Sequence, residues 1–406
     1  MALINRRNFL NTGILAGFTP FWSKDKFISR AGTDAWSSYI GKSKWDLDSP
    51  ALCVDLDKME RNIQVSHERL RGSGIGIRPH VKTHKCPDIA KRQMEAGAIG
   101  ICVAKLSEAE VMLREGISEV LMTGVNISPA KIKRAMALRK KHSGFIQAVD
   151  NPQNALDLQE AAKAEGIIAD VVVDINVVRR SGILPGEPAL QLAQLVDKQP
   201  NLRFKGILAY DGGVQHVKGF AKRKQDAIRR MEPAVTSYEL MKKSGLNLEI
   251  FSGGGTGTYN IMNEIPGFTD VQIGSYLFMD HQYMVIGSET NETLYDDFIP
   301  SLTVITTIIN KSYENRLVTD AGTKALTLNQ PPAIVLGEPG FKYSAGSDEY
   351  GTITYEDAVN NYQVGDKLEV IVPHCDPVIN LYDVIFGIRS EKVTAVIPVL
   401  ARGKSQ

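Results

Sequence analysis

Lys82 and Lys85 stand with Arg78, His80 and His84 in IRPHVKTHKCP, residues 77–87. Two of the chain's 7 histidines fall in this run, although the formal net charge is only +1. The segment SGIGIRPHVK reads as a short strand after a turn, with Lys82 at its end. Neighbouring cations and partial desolvation lower an amine's pKa and turn its free base into a nucleophile. A lone lysine at a strand end reads as a surface charge; the density of basic groups makes Lys82 a candidate for imine chemistry.

A second stretch, FSGGGTGTYN at 251–260, is built to meet an anion. After Ser252, residues Gly253, Gly254, Gly255 and Gly257 let backbone approach closely, and Thr256 and Thr258 add hydroxyl donors. The stretch lacks the Gly-Lys-Ser/Thr of a P-loop and the spacing of a dinucleotide fingerprint. An imine-forming lysine and a phosphate cup in one domain together point to pyridoxal phosphate. A third stretch, LEVIVPHCDP, reads as a strand, so residues two apart share a face. His374 and Asp376 then point together and Cys375 away. An imidazole and a carboxylate on one face form half of a metal site, completed by water and substrate.

These groups need a scaffold. Between residues 50 and 285 short β-rich runs (ALCVDL, GIGIRPHVK, GICVA, EVLMTG, GFIQAV, DVVVDI, FKGILAY, LEIFSGG, DVQIGSY) alternate with helical stretches such as CPDIAKRQMEAG and NPQNALDLQEAAKAEG. This alternation predicts a (β/α)8 TIM-like barrel over 46–285, with the first strand candidate outside the ring; a doubly wound open sheet is the alternative. From 290 to 406 strands follow one another without helices, which predicts an antiparallel β domain, with 31–45 pairing against it. In such a barrel reactive groups sit where strands end.

Composition narrows the function. The balance of 47 basic and 46 acidic residues argues against nucleic-acid binding. The 4 cysteines form no CxxC or close pair, so neither a disulfide framework nor a cysteine zinc cluster is indicated. No apolar run is long enough for a membrane span. MALINRRNFLNTGILAGFTPFW, with paired Arg6 and Arg7, reads as a twin-arginine export signal over 1–30, which predicts a periplasmic protein exported folded. Read as a plain basic terminus, it leaves the chain in the cytoplasm.

RPHVKTHK, SGGGTGTY and PHCDPVINLYD together resemble the D-threonine aldolase and D-serine dehydratase family, of the alanine racemase fold type, over residues 45–400. The resemblance implies that Lys82 binds pyridoxal phosphate covalently and that Arg180 in RRSG bonds the cofactor's phenolic oxygen, with Arg179 as rival. It places Tyr210 against the cofactor ring, Gln272 beside the pyridine nitrogen where racemases carry arginine, and His216 opposite Lys82 as acid or base. A neutral amide at 272 would leave that nitrogen unprotonated. Dehydratase members tend to carry His-x-Cys and aldolase members His-x-Asp; this chain reads His374-x-Asp376. Asp348 and Glu349 are expected on the same substrate rim. The implied activity is retro-aldol cleavage of D-β-hydroxy-α-amino acids, with Mn²⁺ preferred over Zn²⁺ or Mg²⁺, in a homodimer. Dehydration of D-serine or 3-hydroxyaspartate is the rival, racemisation a third reading, and a non-catalytic pyridoxal-phosphate carrier a reading of another class.

Overall fold

A computed structural model describes residues 34–406 apart from residue 179. The export segment and Arg179 lie outside the described residues. The chain divides into two compact units. One comprises the described residues up to Asn62, with Leu277–Met284 and Phe298–Arg402; the other comprises Ile63–Tyr276, Val285–Asp297 and Gly403–Gln406.

Strands are numbered along the chain. β1 (Ala51–Asp55) lies outside the ring, in the first unit. The second unit is built on β2 (Gly76–Ile77), β3 (Ile101–Val103), β4 (Val120–Val125), β5 (Phe145–Val149), β6 (Ala169–Asp174), β7 (Leu202–Ala209), β8 (Ile250–Gly253) and β9 (Asp270–Val271). They form one parallel sheet in the order β2-β9-β8-β7-β6-β5-β4-β3. Its two end strands also meet: Cys102 N donates to Pro79 O at 2.8 Å and Ile99 N to Ile77 O at 2.9 Å. This is the TIM-like barrel of the alanine racemase type. FIQAV and ADVVVD are buried at every position, as strands covered on both faces must be. Cys102, Leu121, Ile146, Ala148, Val172, Leu208 and Ile250 pack as one interior cluster. The crossover helices obey local rules. Asn151 caps Pro152–Glu165 through Asn154 N, and Gly166 ends it at φ 65°.

Two long helices escape the sequence reading, Leu56–Leu70 and Phe220–Lys243. The second hides its apolar face among basic residues and carries Pro233 inside. GIGIRPHVK is a strand only at Gly76–Ile77. Its extended bonding continues through Arg78 N to Val271 O and His80 N to Ile273 O. A 3₁₀ turn, Val81–Thr83, then carries Lys82.

The first unit holds a nine-stranded sheet. β10 (Leu302–Tyr313), β11 (Arg316–Thr319), β12 (Ile334–Val335), β13 (Lys342–Ala345), β14 (Gly351–Thr354), β15 (Lys367–Ile371), β16 (Val384–Arg389) and β17 (Lys392–Pro398) join β1 in it. The path is β13-β14-β11-β10-β1-β16-β17, and β15 pairs with both β10 and β12. All pairs are antiparallel except β1 with β16. Ser43 makes an antiparallel bridge to Lys392, and Trp36 and Tyr39 pack on a core of Leu47, Ala51, Ile305 and Phe386. All four cysteines are buried. Among the described residues no helix is long and apolar enough to cross a membrane.

Candidate active site

Because the barrel strands are parallel, every loop after a strand's C-terminal end opens on one rim. That places Lys82 after β2, Arg180 after β6, Tyr210 and His216 after β7, the glycine loop after β8 and Gln272 after β9 on a common face.

The basic run around Lys82 is mostly structural. Arg78 Nε donates to buried Asp270 Oδ1 at 3.1 Å. His84 accepts from Cys86 N through Nδ1 at 3.1 Å, which leaves Nε2 to donate to Gln93 Oε1 at 3.1 Å. His80 Nε2 lies 3.3 Å from Thr123 Oγ1. Lys85 reaches Glu108 Oε1 at 2.5 Å, and Glu108 is itself buried and accepts from Ala104 N at 2.9 Å. The cations expected to depress the Lys82 amine are therefore balanced or tied down. Position distinguishes Lys82, half-buried in the turn that leaves β2.

The glycine loop is held tight from behind. A Cβ at Gly253 would lie 1.9 Å from Ala209 O, one at Gly255 2.8 Å from Gln215 Oε1, and one at Gly257 2.1 Å from Gln215 O. Gly254 adopts φ +61°, open to glycine without strain. Thr256 Oγ1 accepts from Tyr276 N at 2.9 Å, and Thr256 O accepts from Tyr295 Oη at 2.6 Å. The Thr256 hydroxyl hydrogen is left as the donor it can offer an anion. Gln215 Nε2 donates to Thr258 Oγ1 and its Oε1 accepts from Gly257 N, which couples the loop to the 3₁₀ turn Val214–His216. Asp211 Oδ1 accepts from Gly213 N and Val214 N and its Oδ2 from Arg230 Nη1, fixing the same turn. His216 is exposed. A buried arginine missed in the sequence, Arg223, donates to Gly257 O, Val217 O, Ile286 O and Gly287 O. This tight loop and the lysine on the same rim fit pyridoxal phosphate.

Arg180 Nη2 donates to Asp174 Oδ1 at 3.3 Å and its guanidinium lies 5.9 Å from the Tyr210 ring centroid. Burial pushes the Asp174 carboxyl up to about 6, against Arg180 and the Ser181 hydroxyl, which pull it down. Ser252 and Gln272 are both buried. The Ser252 hydroxyl donates to Asp270 Oδ1 at 2.5 Å and accepts from Gln272 Nε2 at 3.0 Å. Ser252 therefore serves a network that runs from Gln272 to Asp270 and Arg78.

The first unit holds His374 and Asp376. The expectation that they share a strand face fails: β15 ends at Ile371, and His374 precedes a short helix, Cys375–Ile379. Proline at 373 stops the ladder, because it has no N–H to give. His374 Nδ1 lies 2.8 Å from Asp280 Oδ2. Possible ligand atoms of Asp280, His374 and Cys375 lie within 4.8 Å of one another, and Asp376 Oδ1 is 3.6 Å from Cys375 Sγ. Imidazole, carboxylate and thiol form a donor set that fits a borderline divalent ion. Asp280 was invisible in sequence, since 94 residues separate it from His374. Asp348 accepts from Thr323 Oγ1 at 3.1 Å, Glu349 pairs with Lys324, and both carboxylates are exposed.

Residues 54–282 match the alanine racemase N-terminal domain and residues 301–388 the putative serine dehydratase domain. The chain belongs to the alanine racemase-like family. It is 35% identical over 367 residues to the 3-hydroxy-D-aspartate aldolase of Paracoccus denitrificans, covering 90% of this chain and 94% of that one. It is 32% identical over 361 residues to the D-threonine aldolase of an Arthrobacter species, covering 89% and 94%. The crystal structure of D-threonine aldolase from Filomicrobium marinum superposes with TM-score 0.86 at 34% identity, over 90% of this chain and 98% of that one. This alanine racemase-like protein is an enzyme of the lyase class.

Proposed function

We propose that the protein cleaves D-configured β-hydroxy-α-amino acids to glycine and an aldehyde, with D-threonine and 3-hydroxy-D-aspartate as first candidate substrates. The observation that carries this reading is the gathering of Lys82, Arg180, Tyr210, the glycine loop and Gln272 on one barrel rim, in a chain about a third identical to named aldolases over most of its length. Pyridoxal phosphate would be held by Lys82 and the loop Gly253–Thr256 and supply an electron sink, and a divalent ion would be held by His374 and Asp376 and acidify the β-hydroxyl. Arg180, backed by Asp174, orients a phenolic oxygen. His216, on its pinned turn, accepts the hydroxyl proton as the Cα–Cβ bond breaks. Mn²⁺ suits the imidazole and carboxylate pair. A homodimer, exported to the periplasm, completes the proposal.

Incubation with D-threonine should yield acetaldehyde and glycine. EDTA should abolish this while the cofactor's visible absorption persists, and Mn²⁺ should restore it. Full activity in metal-free protein would remove the metal role of His374 and Asp376. The second reading, dehydration, draws on the match of 301–388 to a serine dehydratase domain and on Cys375 Sγ among the ligand-distance atoms. Pyruvate from D-serine without acetaldehyde from D-threonine would establish it instead.

A further inference from the structure

We propose that Asp280 is a positioning residue that fixes the tautomer of His374 and aims its Nε2 as the metal-binding atom; the inference rests on the metal reading above. Asp280 is completely buried. Its Oδ1 accepts from Tyr283 N at 3.1 Å, and its Oδ2 accepts from Cys375 N at 2.9 Å. Backbone N–H groups can only donate, so the carboxylate acts as acceptor at both oxygens. The third contact, His374 Nδ1 at 2.8 Å from Oδ2, then needs a hydrogen on the ring nitrogen. A neutral imidazole protonated at Nδ1 carries its lone pair on Nε2, which is the form a metal ion takes. The same oxygen grips the ring and the next backbone N–H. Ring orientation and the start of the helix Cys375–Ile379 are thereby set together. Oδ2, the oxygen that faces the ring, has both lone pairs engaged by these two donors, so Asp280 acts through His374 and not as a ligand, although it lies within ligand distance of His374 and Cys375.

The test uses the cofactor-loaded enzyme without added metal. Nitrogen-15 NMR of the imidazoles, with the His374 signals assigned through His374→Gln, should show His374 protonated at Nδ1. Asp280→Asn can keep its oxygen for Tyr283 N and set its amide nitrogen where Oδ2 stood, giving up the Cys375 N bond and turning its hydrogens toward Nδ1, so His374 should switch to the Nε2-protonated form. Mn²⁺ titration should show affinity lowered roughly ten- to a hundredfold in that variant, and abolished in His374→Gln. The cofactor's visible band should stay unchanged, which separates positioning from unfolding. Wild-type His374 protonated at Nε2 would overturn the inference even if Asp280→Asn failed to fold. So would Asp280→Asn binding Mn²⁺ as wild type does. Loss of Mn²⁺ in Asp280→Asn as complete as in His374→Gln, with Asp376→Asn unaffected, would make Asp280 a ligand and equally overturn it. Wild type that bound no Mn²⁺ would end the metal reading, and the tautomer measurement would still decide the role of Asp280.

Discussion

Arg223→Met keeps most of the side chain's apolar length and deletes its guanidinium. In the folded chain that group is fully buried. It bonds Gly257 O and Gly287 O at 2.7 Å and Val217 O and Ile286 O at 2.9 Å. Ile286 O keeps Gly219 N as a donor at 2.9 Å, so the carbonyls of Val217, Gly257 and Gly287 bear the loss. A buried acceptor stripped of its donor costs about 1–3 kcal/mol, which sets a gross penalty of about 3–9 kcal/mol. Desolvation of the charge is recovered in the variant and water can enter the gap, which pulls the sum toward its lower end. We expect a loss of about 3–4 kcal/mol in urea unfolding of the cofactor-free chain, followed by far-ultraviolet circular dichroism. Gly257 belongs to the anion loop, so pyridoxal phosphate should also bind roughly tenfold more weakly, equivalent to about 1.4 kcal/mol. Arg223→Lys should recover part of both. A stability change below about 1 kcal/mol, with cofactor affinity unaltered, would refute the idea that these carbonyls depend on Arg223.

Borohydride reduction of the loaded enzyme should place the cofactor adduct on Lys82 by mass spectrometry, and Lys82→Ala should lose the visible band while staying folded; an adduct on Lys85 would contradict its commitment to Glu108. The Asp174 carboxyl, raised to about 6 in the folded chain, holds its proton more tightly folded than unfolded. Its contribution to stability is therefore full below about pH 4 and lost as pH rises through 6. The stability of wild type relative to Asp174→Asn should fall across that window by on the order of 3 kcal/mol, and a flat difference would show that the carboxyl is not perturbed. Fused after residue 30, a reporter should reach the periplasm, and Arg6→Lys with Arg7→Lys should retain it in the cytoplasm.

Much of this architecture is legible in the chain because parallel strands buried on both faces write themselves as apolar runs, as FIQAV and DVVVDI do. The rim residues follow from the same pattern, since each run's end marks a loop. Lys82, the glycine stretch and Gln272 could be placed that way. Long-range polar ties leave no such mark. Asp280 reads as one more acid before His281, and Arg223 as one more cation in FAKRKQ, although each is among the most buried charges of its unit. The strand read through PHCDP failed for a local reason, because Pro373 ends the ladder and a helix begins just after His374. The basic run at 77–87 misled in another way. Its charges looked like an electrostatic environment for Lys82 and are instead ties to Asp270, Gln93 and Glu108.

The four buried cysteines have a practical consequence. Burial pushes the thiols of Cys53, Cys86 and Cys102 far above their ordinary range, so almost none is present as thiolate, the form that attacks disulfides and alkylating reagents. Cys375 is equally shielded, at 0% exposure. Folded protein should therefore tolerate an oxidising compartment without thiol exchange. A single cysteine engineered onto the surface would be the one reactive handle, and a fluorophore or spin label could be attached there with all four native cysteines left in place.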